Sequence, residues 1–201
     1  ILGLVASIQL STNNMVKLGD WITIPGRNID GTVIDMTLYT VKVENFDKTI
    51  LTVPTYALLS ESFQNWKGME DSGVRRIKRE IRIDVRSISF VTPEMIDAVS
   101  LRPHVEKWLS DNKEEIEALK RGETTSLTNL GAFRAYMVDY LKNHPNIDST
   151  MPVMMRDMPP TELGMPVEIY CFSKINSWVP FESVQSSVVD YAYAVVSQFG
   201  L

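Results

Sequence analysis

Between residues 21 and 53 the sequence alternates apolar and polar positions in short runs, WITI (21–24), TVIDM (32–36), YTVKV (39–43) and ILTV (50–53). Each run is rich in β-branched or aromatic residues, and each is bounded by turn formers, which is the pattern of short half-buried strands. NFDK at 45–48 reads as a hairpin loop, and Pro54 ends the fourth run because proline cannot donate to a ladder. SFQNW at 62–66 supplies a fifth strand. Strands this short and this closely spaced predict a small, strongly bent sheet or open barrel. Gly19, Gly26 and Gly31 are expected to be its bends, taking positive φ.

The leader before this module, ILGLVASIQLSTNN (1–14), is apolar to Leu10 apart from Ser7 and Gln9 and then turns polar. It predicts a helix, too short for the roughly 18–20 apolar residues of a spanning segment. It lacks the basic start and small-residue cleavage pattern of a signal peptide. A buried helix of a soluble domain and the end of a membrane helix both fit, and a chain opening on isoleucine is expected to be part of a longer protein.

MEDSG at 69–73 is a polar break and the expected boundary of a second domain. RRIKREIRIDV (75–85) alternates isoleucines with charges of both signs and reads as a strand with a solvated charged face, continuing to about residue 91. Helices are expected near 129–143 and 180–198, with strands near 151–158 and 167–175. The last helix follows from Phe181, Val184, Val188, Tyr191, Val195 and Phe199 at intervals of three and four, with Gly200 at its end. This strand, helix, strand, strand, helix order is that of a ferredoxin-like split βαβ whose last strand is absent. An extra segment at about 93–128 interrupts it. Within that segment Val105, Trp108, Leu109, Ile116 and Leu119 share one face up to Gly122, predicting one helix over 105–121 with an acidic outer side.

With 20 basic and 25 acidic residues in 201, the net charge of -5 argues against a general nucleic-acid binder. A 44% hydrophobic content suffices for a core, in two domains. The lone Cys171 excludes an intrachain disulfide and reads as a small core residue. His104 and His144 each adjoin a proline and have no metal-ligand spacing, and neither GxGxxG nor a phosphate-binding loop is present. The methionines from Met151 onward read as packing. The sequence predicts no catalytic residue, no cofactor and no metal, so no enzyme.

KLGDWI (17–22), GTVIDMTLYTVKVENFDKT (31–49), LTVPT (51–55) and NW (65–66) together resemble the β-domain signature of the small-conductance mechanosensitive channel family. Gly19, Asp20, Trp21, Ile22, Gly31, Val33, Thr40, Asp47, Val53 and Pro54 fall on its pattern, with Asn65 completing the motif set. Thr55 stands where the family has asparagine, and is expected to be a local variation of the turn. The resemblance implies an α+β chain: residues 1–14 as the end of a pore-lining helix, 15–67 as a five-stranded Sm-like β-domain, and 68–201 as the α/β domain with its insertion. The insertion suggests a larger, miniconductance-type member.

It further implies the cytoplasmic vestibule of a homo-heptameric channel in the bacterial inner membrane. Such a channel opens under tension and releases ions and small solutes on hypo-osmotic shock. Its partners are identical subunits and, through upstream helices, the lipid bilayer, with no nucleic acid. Gly3, Ala6 and Ser7 would let helices pack closely near the pore. The strands 21–24 or 50–53 would meet the neighbouring subunit, and the insertion would lie on the outside of the chamber. The alternatives are a ring-forming Sm-like RNA-binding module and a non-conducting adaptor.

Overall fold

Alternation in the first runs becomes burial. In the computed structural model, which describes residues 2–201, the inward positions Ile22, Ile24, Ile29, Val33, Val41, Val43 and Val53 are each at most 2% exposed. The chain divides into two units, one ending at Ser72 and one beginning at Gly73.

The first unit runs α1 (Leu2–Thr12), β1 (Trp21–Ile24), β2 (Ile29–Met36), β3 (Thr40–Asn45), β4 (Ile50–Pro54), α2 (Ala57–Ser60), β5 (Gln64–Asn65) and α3 (Lys67–Ser72). Its strands form one antiparallel sheet in the order β4-β3-β2-β1-β5. All five expected strands are present, although β2 starts earlier and β5 is shorter than the periodicity suggests. A register shift between Val33 and Asp35 marks a bulge in β2, which bends the sheet. Leu10 of α1 and Val16 close the core from the leader side. Because β5 covers β1, the sheet edges are β4 and β5, and of the two strands expected to face a neighbour only β4 is an edge.

The expectation for the glycines holds at one position of three. Gly19 has φ +88° and turns the chain into β1. Gly26 lies in a short 3-10 turn, and the left-handed residue that closes it is Asn28, at φ 54°. Gly31 is not a bend. It sits inside β2 opposite both Ile22 and Asn45, where a Cβ would come within 2.0 Å of the Glu44 carbonyl oxygen and 2.6 Å of Asn45 Cα. Close approach of two backbones, not φ, requires glycine there.

The second unit runs β6 (Arg75–Ile83), α4 (Pro93–Ser100), α5 (Glu106–Asp111), α6 (Lys113–Lys120), α7 (Asn129–Asn143), β7 (Met154–Asp157), β8 (Met165–Ser173) and α8 (Trp178–Val196). β6 and β7 both pair antiparallel with the central β8, giving the order β6-β8-β7 expected of a split βαβ. Ile77, Ile81, Val167, Ile169 and Cys171 on one sheet face pack with Phe133, Met137 and Leu141 of α7 and Phe181, Val188 and Ala192 of α8. Gly200, at φ +70°, ends the short turn that follows α8. On the opposite sheet face the charges pair across strands. The carboxylate of the fully buried Glu168 accepts from Arg156 Nε at 2.8 Å and forms an ion pair with Arg156 Nη2 at 2.7 Å.

Two expectations for this unit need correction. β6 ends at Ile83, not near 91, because Asp84 caps a 3-10 turn by accepting from the Arg86 amide. The insertion also carries three helices. Asn112 separates α5 from α6, its side-chain amide donating to the Trp108 carbonyl at 2.7 Å, a local bond that competes with helix continuation. The apolar stripe survives the break: Trp108, Leu109, Ile116 and Leu119 pack with Val91 and Ile96, while Val105 joins the main core.

Candidate functional site

The residues singled out in the first unit form the seat that holds α1 on the sheet. After α1 the chain turns through Asn14, at φ 51°, and Gly19, and Asp20 arrives almost fully buried. Its carboxylate accepts from the Lys17 amide at 2.9 Å and from Asn65 Nδ2 at 2.8 Å. Asn65 Nδ2 also donates to the Met15 carbonyl at 3.0 Å, and Asn65 Oδ1 accepts from the Lys67 amide at 2.9 Å. One asparagine on β5 therefore ties the leader, the start of β1 and the start of α3 together. Hydrogen bonds to a charged group contribute about 1.5–3 kcal/mol each. Backbone bonds from Gly19 N to Val33 O (2.8 Å) and from Val33 N to Asp20 O (2.9 Å) add β2 to the same junction.

Beside it stands an aromatic group. Trp21 stacks on Trp66 at 4.6 Å between ring centroids and meets the edge of Phe46 at 5.3 Å. Trp21 Nε1 donates to Asp30 at 2.7 Å, Thr23 Oγ1 donates to the same oxygen at 2.9 Å, and Trp66 Nε1 donates to Thr23 Oγ1 at 2.9 Å. The two indoles stack on each other and their N–H groups have partners within the unit, an arrangement that locks β1 to β2 and β5.

A third tie was not legible as functional in the sequence. Thr55, at the position that departs from the family pattern, is fully buried, and its hydroxyl lies 3.1 Å from the Gly3 carbonyl and 3.3 Å from the Leu38 carbonyl. It links α1 to the β2–β3 turn. Gly3 faces this contact too: a Cβ there would meet Tyr39 Cδ1 at 3.1 Å. Ala6 is 1% exposed. Two of the three small residues of α1 therefore face inward within this unit. Ser7 lines an open groove between α1 and the β2–β3 turn. The outward side of α1 is apolar as well, with Leu2, Leu4, Val5 and Ile8 exposed and Leu18, Leu38 and Tyr39 exposed nearby. An apolar surface of this extent on a small unit marks an interaction face.

The other motif residues are structural. Ile22 and Val33 are core, and Thr40 pairs with Pro54 across β3 and β4. Asp47 accepts from the Thr49 hydroxyl and amide in the hairpin, and those bonds hold its carboxyl below the usual carboxylate range.

In the second unit Cys171 is buried and its thiol is pushed up to about 12 by burial, leaving little thiolate near neutrality. Burial also lowers the basicity of His144. His104 is engaged by Asp139, with 2.8 Å between Nδ1 and Oδ2. Among the described residues no group of three or more His, Cys, Asp or Glu is placed to hold a metal ion, and no helix is long and apolar enough to cross a membrane.

Residues 1–68 match the family described as mechanosensitive ion channel, beta-domain. An uncharacterised MscS family protein of Helicobacter pylori (strain ATCC 700392 / 26695) is 26% identical over 205 residues, covering 98% of this chain and 29% of that protein. The low conductance mechanosensitive channel YnaI of Escherichia coli K12 is 23% identical over 198 residues, covering 97% of this chain and 45% of the relative. The chain thus spans less than half the length of these relatives. Among solved structures, Arabidopsis thaliana MSL1 superposes with a TM-score of 0.64 at 14% identity, over 99% of this chain and 56% of its own. Helicobacter pylori MscS in its closed state gives 0.59 at 13% identity, over 98% and 58%. These structures share the fold.

Proposed function

We propose that the chain is a member of the small-conductance mechanosensitive channel family, whose β-domain residues 1–68 match, and that it forms the extramembrane vestibule of a tension-gated ion channel. The observation that carries the reading is the seat of α1. A helix with an apolar outer side is tied to a rigid β-module at both ends, through Thr55 at Gly3 and through Asn65 at Met15 and Asp20. On this reading α1 is the helix through which the β-module meets the pore. Bilayer tension favours the state of larger in-plane area, and the two ties make the β-module move with α1 when that state forms.

Members of this family assemble from identical subunits, and we read this chain as one protomer of a homo-heptamer in the bacterial inner membrane. The bilayer would be met by segments outside residues 1–201, and the passage would carry ions and small solutes on hypo-osmotic shock. The edge strand β4 and the exposed side of α1 would serve subunit contacts, and the insertion would lie outside the chamber. The site chemistry supports a mechanical role without catalysis. The self-stacked Trp21 and Trp66 give the RNA-binding alternative no free aromatic platform at this motif.

Patch recording of the full-length protein in spheroplasts lacking other tension-activated channels tests the reading. Suction is expected to open a current, and Thr55→Val, which removes the tie while keeping the volume, is expected to shift the opening tension. Cys171→Ala, distant from α1 in sequence and buried in the other unit, is expected to leave it in place. Absence of any tension-activated current overturns the proposal.

A further inference from the structure

The second unit holds a cavity of about 380 Å³ between α5 of the insertion and α7. Its floor is apolar, formed by Trp108, Val138 and Met155, and its walls carry three cationic side chains, Lys107 from α5 and Arg134 and Lys142 from α7. Lys107 and Lys142 are exposed and form no ion pair among the described residues. Arg134 gives one nitrogen to Asp157 at 2.8 Å, while its buried Nε has no hydrogen-bond partner among the described residues. A buried donor without a partner is costly and is a place to look for a ligand or water.

The lining sets two carboxylates, Asp111 and Asp139, against these three cations, and with Arg134 paired to Asp157 the lining cations that form no ion pair among the described residues are Lys107 and Lys142. Asp139 is occupied by His104 Nδ1 at 2.8 Å and by Asn143 Nδ2 at 3.0 Å. His104 itself holds a left-handed backbone, φ 68°, uncommon for a residue other than glycine, and its ring sits edge-on to Tyr136 and Tyr140. Strained residues fixed in this way gather at ligand clamps. A volume of this size is that of a small-ligand pocket, and such pockets combine an apolar lining with a few converging polar groups.

We propose that this cavity binds a small organic phosphate monoester with a flat or apolar body, the body lying against Trp108 and the phosphate held by Lys107, Lys142 and Arg134. A ligand held there contacts both the insertion and α7. The inference does not depend on the channel reading, since the test measures binding and not current.

Calorimetric titration of phenyl phosphate into the full chain is expected to show saturable binding at one site. Lys107→Ala with Lys142→Ala is expected to weaken it at least ten-fold with an unchanged melting temperature. Lys113→Ala, an exposed lysine on α6 outside the cavity lining, is expected to leave it unaltered. Ala135→Leu, which fills the cavity from α7 without altering charge, is expected to abolish it. Inorganic phosphate and benzyl alcohol, each half of the probe, are expected to bind at least ten-fold more weakly. Dihexanoyl phosphatidic acid distinguishes two sources of the same chemistry: tighter binding than phenyl phosphate assigns a lipid headgroup, and weaker binding assigns a soluble phosphate. Absence of saturable binding, equal binding of inorganic phosphate, or equal loss in Lys113→Ala and the double variant overturns the proposal.

Discussion

The two units are stabilised by different means. The second has a large mixed core in which aromatic rings of α7 and α8 fill the space above three strands. The fully buried set of the first is aliphatic, Leu10, Val16 and the inward residues of four short strands with Ala57 and Leu58, and its aromatic residues are partly buried or exposed. With a core that small, Leu10 is joined in placing α1 by the hydrogen bonds of Thr55 and Asn65, and one close backbone contact at Gly31 fixes β2 on β3. The second unit is therefore expected to respond mainly to lost volume, and the first to lost polar partners and added atoms. Such a difference suits a module whose helix is held by a few definite ties.

Phe133→Ala strikes the larger core at a side chain with no exposure, and the cost is expected to be about 3–5 kcal/mol. Urea unfolding followed by Trp108 and Trp178 against Trp21 and Trp66, in single-tryptophan backgrounds, should show the second unit's transition moving while the first unit's stays. A common shift would break the comparison by showing that the units unfold together.

Gly31→Ala is the matching lesion in the first unit. The added Cβ meets backbone atoms of Glu44 and Asn45, which cannot rotate away, so the cost is expected to be about 1–3 kcal/mol or more. Valine should be worse than alanine. A tolerated alanine with an unchanged midpoint would mean that β2 and β3 can separate without loss.

Asn65→Ala removes a partner of the buried Asp20 carboxylate and the tie to Met15, with an expected loss of about 1.5–3 kcal/mol. Amide exchange should sharpen the result. Protection at the end of α1 and at residues 13–20 is expected to fall before that of β2 and β3 changes.

The smallest effect concerns pH. Hydrogen bonding to Arg86 holds the Asp84 carboxyl down at about 2, below its unfolded value near 3.8. A depressed folded pKa contributes stability above the unfolded value and loses it as pH falls toward the folded one. Asp84→Asn should therefore remove part of the second unit's decline between about pH 4 and pH 2, read as the urea midpoint against pH. The carboxylate is fully exposed to screening, so the change should be slight, and a large one would mean that the turn after β6 is more than a surface feature.

Much of the fold was legible from periodicity. Period two placed the strands of the bent sheet, and the intervals of three and four placed α8. The insertion was legible as an apolar stripe but not as separate helices, because the break at Asn112 depends on a side-chain bond to the Trp108 carbonyl that spacing does not encode. The motif positions Asp20, Trp21 and Asn65 were visible as a pattern without their purpose. Thr55 was visible only as a departure from the family pattern: its hydroxyl acts on the carbonyls of Gly3 and Leu38, and those lie beside it only after folding.

Alone, the sequence determined which residues turn inward and roughly where the strands and the longer helices lie, because burial periodicity and turn chemistry are local properties. It also carried the resemblance to the channel family's β-domain, which residues 1–68 match. Tertiary structure alone decided why Gly31 must be glycine, which strand is an edge, which side of α1 meets its own sheet, and that the insertion leaves a cavity against α7 with Lys107 and Lys142 in its lining. Each of these depends on atoms far apart in the chain meeting at distances of a few ångströms. Periodicity predicts that a side chain will be buried, but the identity of what it meets is set by the register and crossing of whole elements.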